Sequence, residues 1–252
     1  VDEAIGYFEK AESYFAGEQV GIEARWNKSL LQLSDGRLSD GWKNYEARWE
    51  WDRFTSKKYE FPSPRWSGED LNDKSLLIWG EQGIGDEILF LTLLPEVMKR
   101  GPSRIGILAS DKICPVLARW YPDAEIFAIG DIRDKAEQEL GSRFDFDLPA
   151  GSLPLVLDRM DASGTKHYLS DSEISNELKQ ELLDQFPGKE KVIGLSWRSG
   201  ILTHKRVQYY LSHQAIIDLV RSAPPEILFV SLQYGIDDDE TRDLGQEPNV
   251  YL

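Results

Sequence analysis

Along the chain, the hydrophobic and polar positions change period, and each change marks a change of element. In the first fifty-odd residues the apolar positions recur at helical spacing: Ala4, Phe8 and Ala11, then Ile22, Trp26, Leu30, Leu31 and Leu33, then Leu38, Trp42, Tyr45 and Trp49. Gly17 and the Ser34-Asp35-Gly36 turn separate these sets, so the pattern predicts short-looped helical hairpins. Residues 61–73 lose the period and carry Pro62, Pro64 and Gly68, the composition of a linker. Short apolar runs then alternate with helical stretches. Strands are expected at residues 75–79, 104–109, 125–129 and 144–148. Helices are expected at 84–100, 112–120 and 133–140, with a helical turn at 153–159. A polar stretch over 170–191 holds an acidic helix at 174–186 and the breaker Pro187-Gly188. The alternation then restarts with a strand at 192–197, a helix at 213–222 and a strand at 227–233.

Strand and helix in alternation imply an α/β fold with parallel sheets and right-handed crossovers. The expected organisation is helical hairpins over residues 1–55, a linker over 56–73 and a Rossmann-like domain over 74–169. An interdomain segment over 170–191 and the beginning of a second Rossmann-like domain over 192–252 follow, the latter incomplete. The helical part has an internal near-repeat: Gly41, Tyr45 and Arg48 stand 37 positions after Ala4, Phe8 and Ala11. That period is close to the roughly 34 residues of tetratricopeptide (TPR) repeats, which the segment resembles from Trp26-Asn27 through Gly41-Trp42 to Trp49. A plain helical hairpin packed on the next domain is the other reading. So short an array cannot bury its own faces, so further repeats are expected before Val1.

Charge narrows the function classes. The 252 residues hold 29 basic and 44 acidic side chains, a net −15, which argues against a nucleic-acid surface. No apolar run approaches the roughly 18 residues of a membrane span. Cys114 is the only cysteine, so no intrachain disulfide can form, and a cytoplasmic location is the expectation. The chain opens on Val1 rather than Met and reads as a fragment.

The sharpest local signal is Gly80-Glu81-Gln82-Gly83-Ile84-Gly85-Asp86-Glu87, at the carboxyl end of the first expected strand. Ligands of open α/β sheets bind there, beside a helix N-terminus. Gly83 and Gly85 permit close ligand approach. The dinucleotide fingerprint fails, because its third glycine would fall at Ile88, and no Gly-Lys-Ser/Thr follows. Asp86 has two open roles: general base on a substrate hydroxyl, or cap of the helix it starts. With three histidines, no H-E-x-x-H and no paired cysteine, no metal is expected. Asp145-Phe146-Asp147 and Asp237-Asp238-Asp239 match an Asp-x-Asp pattern that so acidic a chain produces by chance, and helix capping is expected of the second. The tryptophans Trp42, Trp49, Trp51 and Trp66 read as core rather than as a sugar platform.

The run from Trp66-Ser67-Gly68 through Leu76-Leu77-Ile78-Trp79 to Gly85-Asp86-Glu87-Ile88 resembles bacterial TPR-linked glycosyltransferases related to the heptosyltransferases (glycosyltransferase family 9). Asp147-Leu148-Pro149, Ser152-Leu153-Pro154, Gly194 to Gly200 and Ser231 to Gly235 extend the resemblance in order along nearly the whole chain. It implies a GT-B architecture of two Rossmann-like domains, acceptor on the first and donor nucleotide on the second. Asp86 stands at the position of the family's catalytic base, with Gln82, Gly83 and Gly85 in the binding loop. Arg198, Ser199, Lys205 and Arg206 stand where donor phosphates are held, although Lys205 and Arg206 also suit a solvated loop. The implied substrates are a nucleotide sugar and an acceptor protein or glycan, the latter held by the helices, with no cofactor and no metal. The family continues beyond the elements present here, with a further donor-cradling segment. The rival readings are a TPR interaction module with a degenerate α/β domain, and a Rossmann-type cofactor enzyme.

Overall fold

Ser-Leu-Leu-Ile-Trp lacks any polar alternation, which is the mark of a strand covered on both faces. In the computed structural model these residues form β1 (Ser75–Trp79), buried throughout. The structure describes residues 1–132, 134–158, 173–199 and 207–252, in two compact units, Val1–Leu169 and Ser170–Leu252. The molecule is mixed α/β with parallel sheets.

In the first unit β1 pairs with β2 (Arg104–Ala109) on one side and β4 (Phe146–Pro149) on the other, and β3 (Glu125–Ala128) pairs with β2. The order is β3-β2-β1-β4, all parallel, so the direction of strand addition reverses between β1 and β4. Alternation along β1 then divides the core. Leu76 and Ile78 join Ile105 and Ile107 beneath α4 (Ile84–Leu91), α5 (Leu94–Met98) and α6 (Cys114–Trp120). Leu77 and Trp79 join Leu108, Leu140 and Phe144 on the other face, where α7 (Asp134–Gly141) contributes Leu140.

The single helix expected over residues 84–100 is two helices. Pro95 has no N–H to donate, and its ring would clash with the carbonyl four residues back, so the chain turns at Thr92-Leu93 and restarts. The helix expected from residue 112 starts at Cys114, and the strand expected from 144 starts at Phe146. Before it, the Asp145 carboxylate instead accepts the Ser75 N–H at 2.9 Å. The turn expected at 153–159 is the short α8 (Leu153–Val156).

Three helices precede the sheet: α1 (Asp2–Tyr14), α2 (Gln19–Ser34) and α3 (Leu38–Tyr45), the last running into a 3-10 turn at Glu46–Trp49. α2 packs on both α1 and α3. The inward register of α1 is centred on Ile5, with Ala4 exposed, and Leu30 of α2 is 43% exposed. Trp26 and Tyr45 belong to the same core cluster as Leu76, Ile78 and Phe90. Residues 56–73 contribute Tyr59, Trp66 and Leu71 to the cores, the last two fully buried. Trp66 N–H donates to the Asp147 carbonyl at 2.8 Å, so this stretch runs along β4.

The second unit contains α9 (Glu173–Gln185) and the parallel sheet β5-β6-β7, of Lys191–Leu195, Ile227–Ser231 and Val250–Tyr251. α10 (His213–Ser222) buries Ile216, Ile217 and Val220, and Ser212 caps it. The acidic run expected to cap a helix does so: Asp237 and Glu240 form a capping box on α11 (Asp238–Leu244). β7, two residues long, has too little pattern to be read from sequence.

Candidate functional site

The loop Gly80–Gly83 leaves the carboxyl end of β1 and delivers α4. Glycine at position 80 leaves room for Glu87, since a Cβ there would lie 2.2 Å from Glu87 Oε1. Gln82 carries φ +65°, a left-handed conformation that costs a non-glycine residue on the order of 1 kcal/mol. Three hydrogen bonds hold it there, one of them from its Nε2 to the neighbouring Glu81 Oε1 at 3.3 Å. The Gln82 N–H donates to Ser56 Oγ at 2.7 Å, and its Nε2 donates also to the Tyr45 hydroxyl at 2.5 Å. Burial pushes that phenol up to about 12, so it stays neutral across physiological pH. Gly83 is the N-cap of α4, and Asp86 Oδ2 accepts the Gly83 N–H at 3.1 Å. The capping geometry weighed for Asp86 is therefore present, with the carboxylate half-buried rather than enclosed.

Glu81 points the other way, into the protein. Its carboxylate is fully buried and takes Arg48 Nε at 2.8 Å and Nη2 at 3.1 Å. Arg48, also fully buried, donates further to Ser152 Oγ at 2.9 Å and to Glu46 at 2.7 Å. Desolvation works against the guanidinium, but Glu81 and Glu46 more than offset it and hold its pKa above the ordinary value. Gly151 permits this packing, since a Cβ there would lie 2.3 Å from Glu81 Oε1. Arg48 thus occupies the space between the loops that follow β1 and β4. That is the switch point, where open α/β sheets ordinarily place a ligand.

The open pocket lies on the other side of the loop. It has a volume of about 260 Å³ and is lined by Gly80–Ile84, Ser56, Lys57, Tyr59, Glu87, Ser110 and Ile129. Glu87 is 3% exposed, and its carboxylate accepts the Ser110 N–H at 3.1 Å and the Ser110 hydroxyl. Burial pushes its pKa up, only partly countered by Ser110. Gln82 and Gly83 line this pocket, whereas Gly85 and Asp86 do not.

In the second unit the loop after β5 is held by two side chains. Gln233 Oε1 accepts the N–H groups of Trp197 and Arg198, each at 3.0 Å. Glu240 accepts Trp197 Nε1 at 3.1 Å and pairs with Arg198, whose pKa it raises. Ser199 Oγ lies 2.6 Å from the Tyr210 hydroxyl. Lys205 and Arg206 lie outside the described residues. Of the eight residues singled out from sequence, Gln82 and Gly83 lie in the loop after β1 and Gly85 and Asp86 in the first turn of the α4 helix it delivers, while Arg198 and Ser199 share a loop of the other unit. Sequence reasoning passed over Glu87, Ser110, Tyr45 and Arg48. Arg48 left a trace only as a charge in the repeat register that Ala11 holds in α1.

No family model matches the chain. Protein FlbA of Caulobacter vibrioides is 28% identical over 237 residues, covering 89% of this chain and 39% of FlbA, so the chain spans well under half of that relative's length. A solved glycosyl transferase family 9 structure from Veillonella parvula matches with TM-score 0.48 and 12% identity, over 73% of this chain and 71% of the other. Among the described residues, no helix is long and apolar enough to cross a membrane.

Proposed function

We propose that the chain is part of a TPR-linked, GT-B glycosyltransferase that moves a sugar from a nucleotide-sugar donor to a protein or glycan acceptor. One observation carries this reading: at the carboxyl edge of a parallel sheet Glu87 lines a pocket of about 260 Å³, and Asp86, the residue before it, caps the helix that starts there. Just below the ligand-pocket range of roughly 300–1,000 Å³, such a space suits one small polyhydroxylated group, not a whole nucleotide sugar. The nucleotide is then expected on the second unit. Asp86 accepts the acceptor hydroxyl's proton as that oxygen attacks the anomeric carbon from the face opposite the departing diphosphate, inverting the centre. Arg198, Ser199, Lys205 and Arg206 supply positive charge and hydrogen-bond donors to the diphosphate in place of a metal. The helices α1–α3 hold the acceptor.

Asp86→Asn is the test, because an asparagine oxygen can still cap α4 while the base is lost. In the intact protein, transfer should fall about 10²- to 10⁴-fold, with nucleotide-sugar binding and melting temperature retained. Donor binding is read by thermal shift with UDP, GDP and ADP sugars. Unchanged turnover in Asp86→Asn would remove Asp86 as the base. A second reading is a TPR interaction module on a degenerate α/β scaffold. It is favoured by Asp86 and Arg198 both serving structural bonds and by Arg48 filling the switch-point crevice. No thermal shift with any nucleotide sugar would favour it.

A further inference from the structure

We infer that Tyr45 and Arg48, carried by the helical segment, are positioning residues for the Gly80–Asp86 loop, so that this segment forms part of the ligand-binding edge of the sheet. The argument starts from the dihedral at Gln82. A non-glycine residue at φ +65° persists only where its surroundings over-determine it. The surroundings here come from outside the α/β unit's own strands and helices. Tyr45, at the end of α3, accepts the Gln82 side-chain amide, and Ser56, just after the helices, accepts the Gln82 N–H. Arg48, one turn beyond Tyr45, anchors the preceding residue, Glu81, with two hydrogen bonds. Arg48 also packs over the Tyr45 and Trp49 rings, 4.6 and 4.8 Å from their centroids, which ties the two anchors into one body.

Consecutive loop residues, Glu81 and Gln82, are thus anchored to the helical segment, and both line the pocket. A shift of α3 moves the loop backbone directly. The inference goes beyond glycosyl transfer and holds for whatever ligand the loop takes.

Amide hydrogen exchange over residues 80–87 of this chain, read by mass spectrometry, provides the test in a cycle of wild type, Tyr45→Phe, Gln82→Gly and the double variant. Tyr45→Phe removes only the hydroxyl and keeps the ring against Trp26 and Phe90. Loss of one hydrogen bond should speed exchange of the loop roughly fivefold in the Gln82 background. In the Gln82→Gly background, which has no side-chain amide to hold and no left-handed penalty, Tyr45→Phe should change nothing. Exchange in β2 and α6 should be the same in all four proteins. If Tyr45→Phe acts equally in both backgrounds, Tyr45 serves general packing only and the inference fails. Unchanged loop exchange in all variants would overturn it as well. Neither outcome depends on whether the intact protein transfers sugar, so failure of that activity and failure of this inference are separately visible.

Discussion

Replacing Arg48 by Met tests the buried ion pair beneath the loop. Methionine fills much of the same space but leaves Glu81 as a fully buried carboxylate without its guanidinium, and leaves Ser152 and Glu46 short of a donor. Breaking a buried pair from one side costs about 3–5 kcal/mol, a large part of the roughly 5–15 kcal/mol that a domain has. At roughly 2–4 °C per kcal/mol for a unit of this size, the melting temperature should fall by about 10 °C. Replacing both partners, Arg48→Met with Glu81→Leu, removes the stranded charge and should recover at least about 2 kcal/mol of that loss. Urea unfolding followed by tryptophan emission reads both, since Trp49 stacks on Arg48. The pair also leaves a signature in acid. In Arg48→Met, burial without a cation holds the folded-state pKa of Glu81 above its unfolded value. The deficit is then absent below the unfolded pKa and grows as pH rises through the folded one, so the variant should approach wild type in acid. A double variant no more stable than Arg48→Met, or a deficit independent of pH, would refute this account of the pair.

Other expectations follow from single contacts. Gly80→Ala places a methyl against Glu87 and should cost about 1–3 kcal/mol by chemical denaturation, with most of that relieved in the Glu87→Ala background. Glu87→Gln should gain stability relative to wild type as pH rises from 4 to 8 in thermal melts. The folded carboxyl has a raised pKa, so its contribution is full below the unfolded value and lost above the folded one. Asp237→Ala removes the cap on α11, where its carboxylate accepts the Glu240 N–H at 2.8 Å, and should cost about 1 kcal/mol in urea. Glu240 also pairs with Arg198, so the same variant should loosen the loop after β5, visible as faster amide exchange at Trp197 and Arg198.

Much of the architecture was legible because it rests on period. After their first residue β1 and β2 are uninterrupted apolar runs and α10 is a clean amphipathic stripe, and each spans its expected residues. Where the reading slipped, a local rule outranked the pattern. Pro95 divided an apolar stretch that has helical spacing throughout, and Asp145 spent its carboxylate on the β1 backbone instead of extending β4. The glycine loop was recognised as the place to look, but its wiring was not. Asp86 and Glu87 are adjacent acids in the sequence, and only the turn of α4 decides that one caps while the other enters the pocket wall. The Arg48–Glu81 bond joins residues 33 apart, and a charged residue on a helix ordinarily reads as solvated.

The placement of Arg48 also limits how the protein can be recombined. A chimera that grafts a different helical array onto this α/β unit would have to be joined ahead of Leu38, keeping α3 and the 3-10 turn with the sheet. A junction within α3 would split the helix that carries Tyr45, and one beyond Arg48 would put a foreign residue opposite Glu81 and bury an acid without its guanidinium. A helix joined upstream of that seam must also supply the apolar surface that Trp26 presents to Tyr45 and to the core of the sheet.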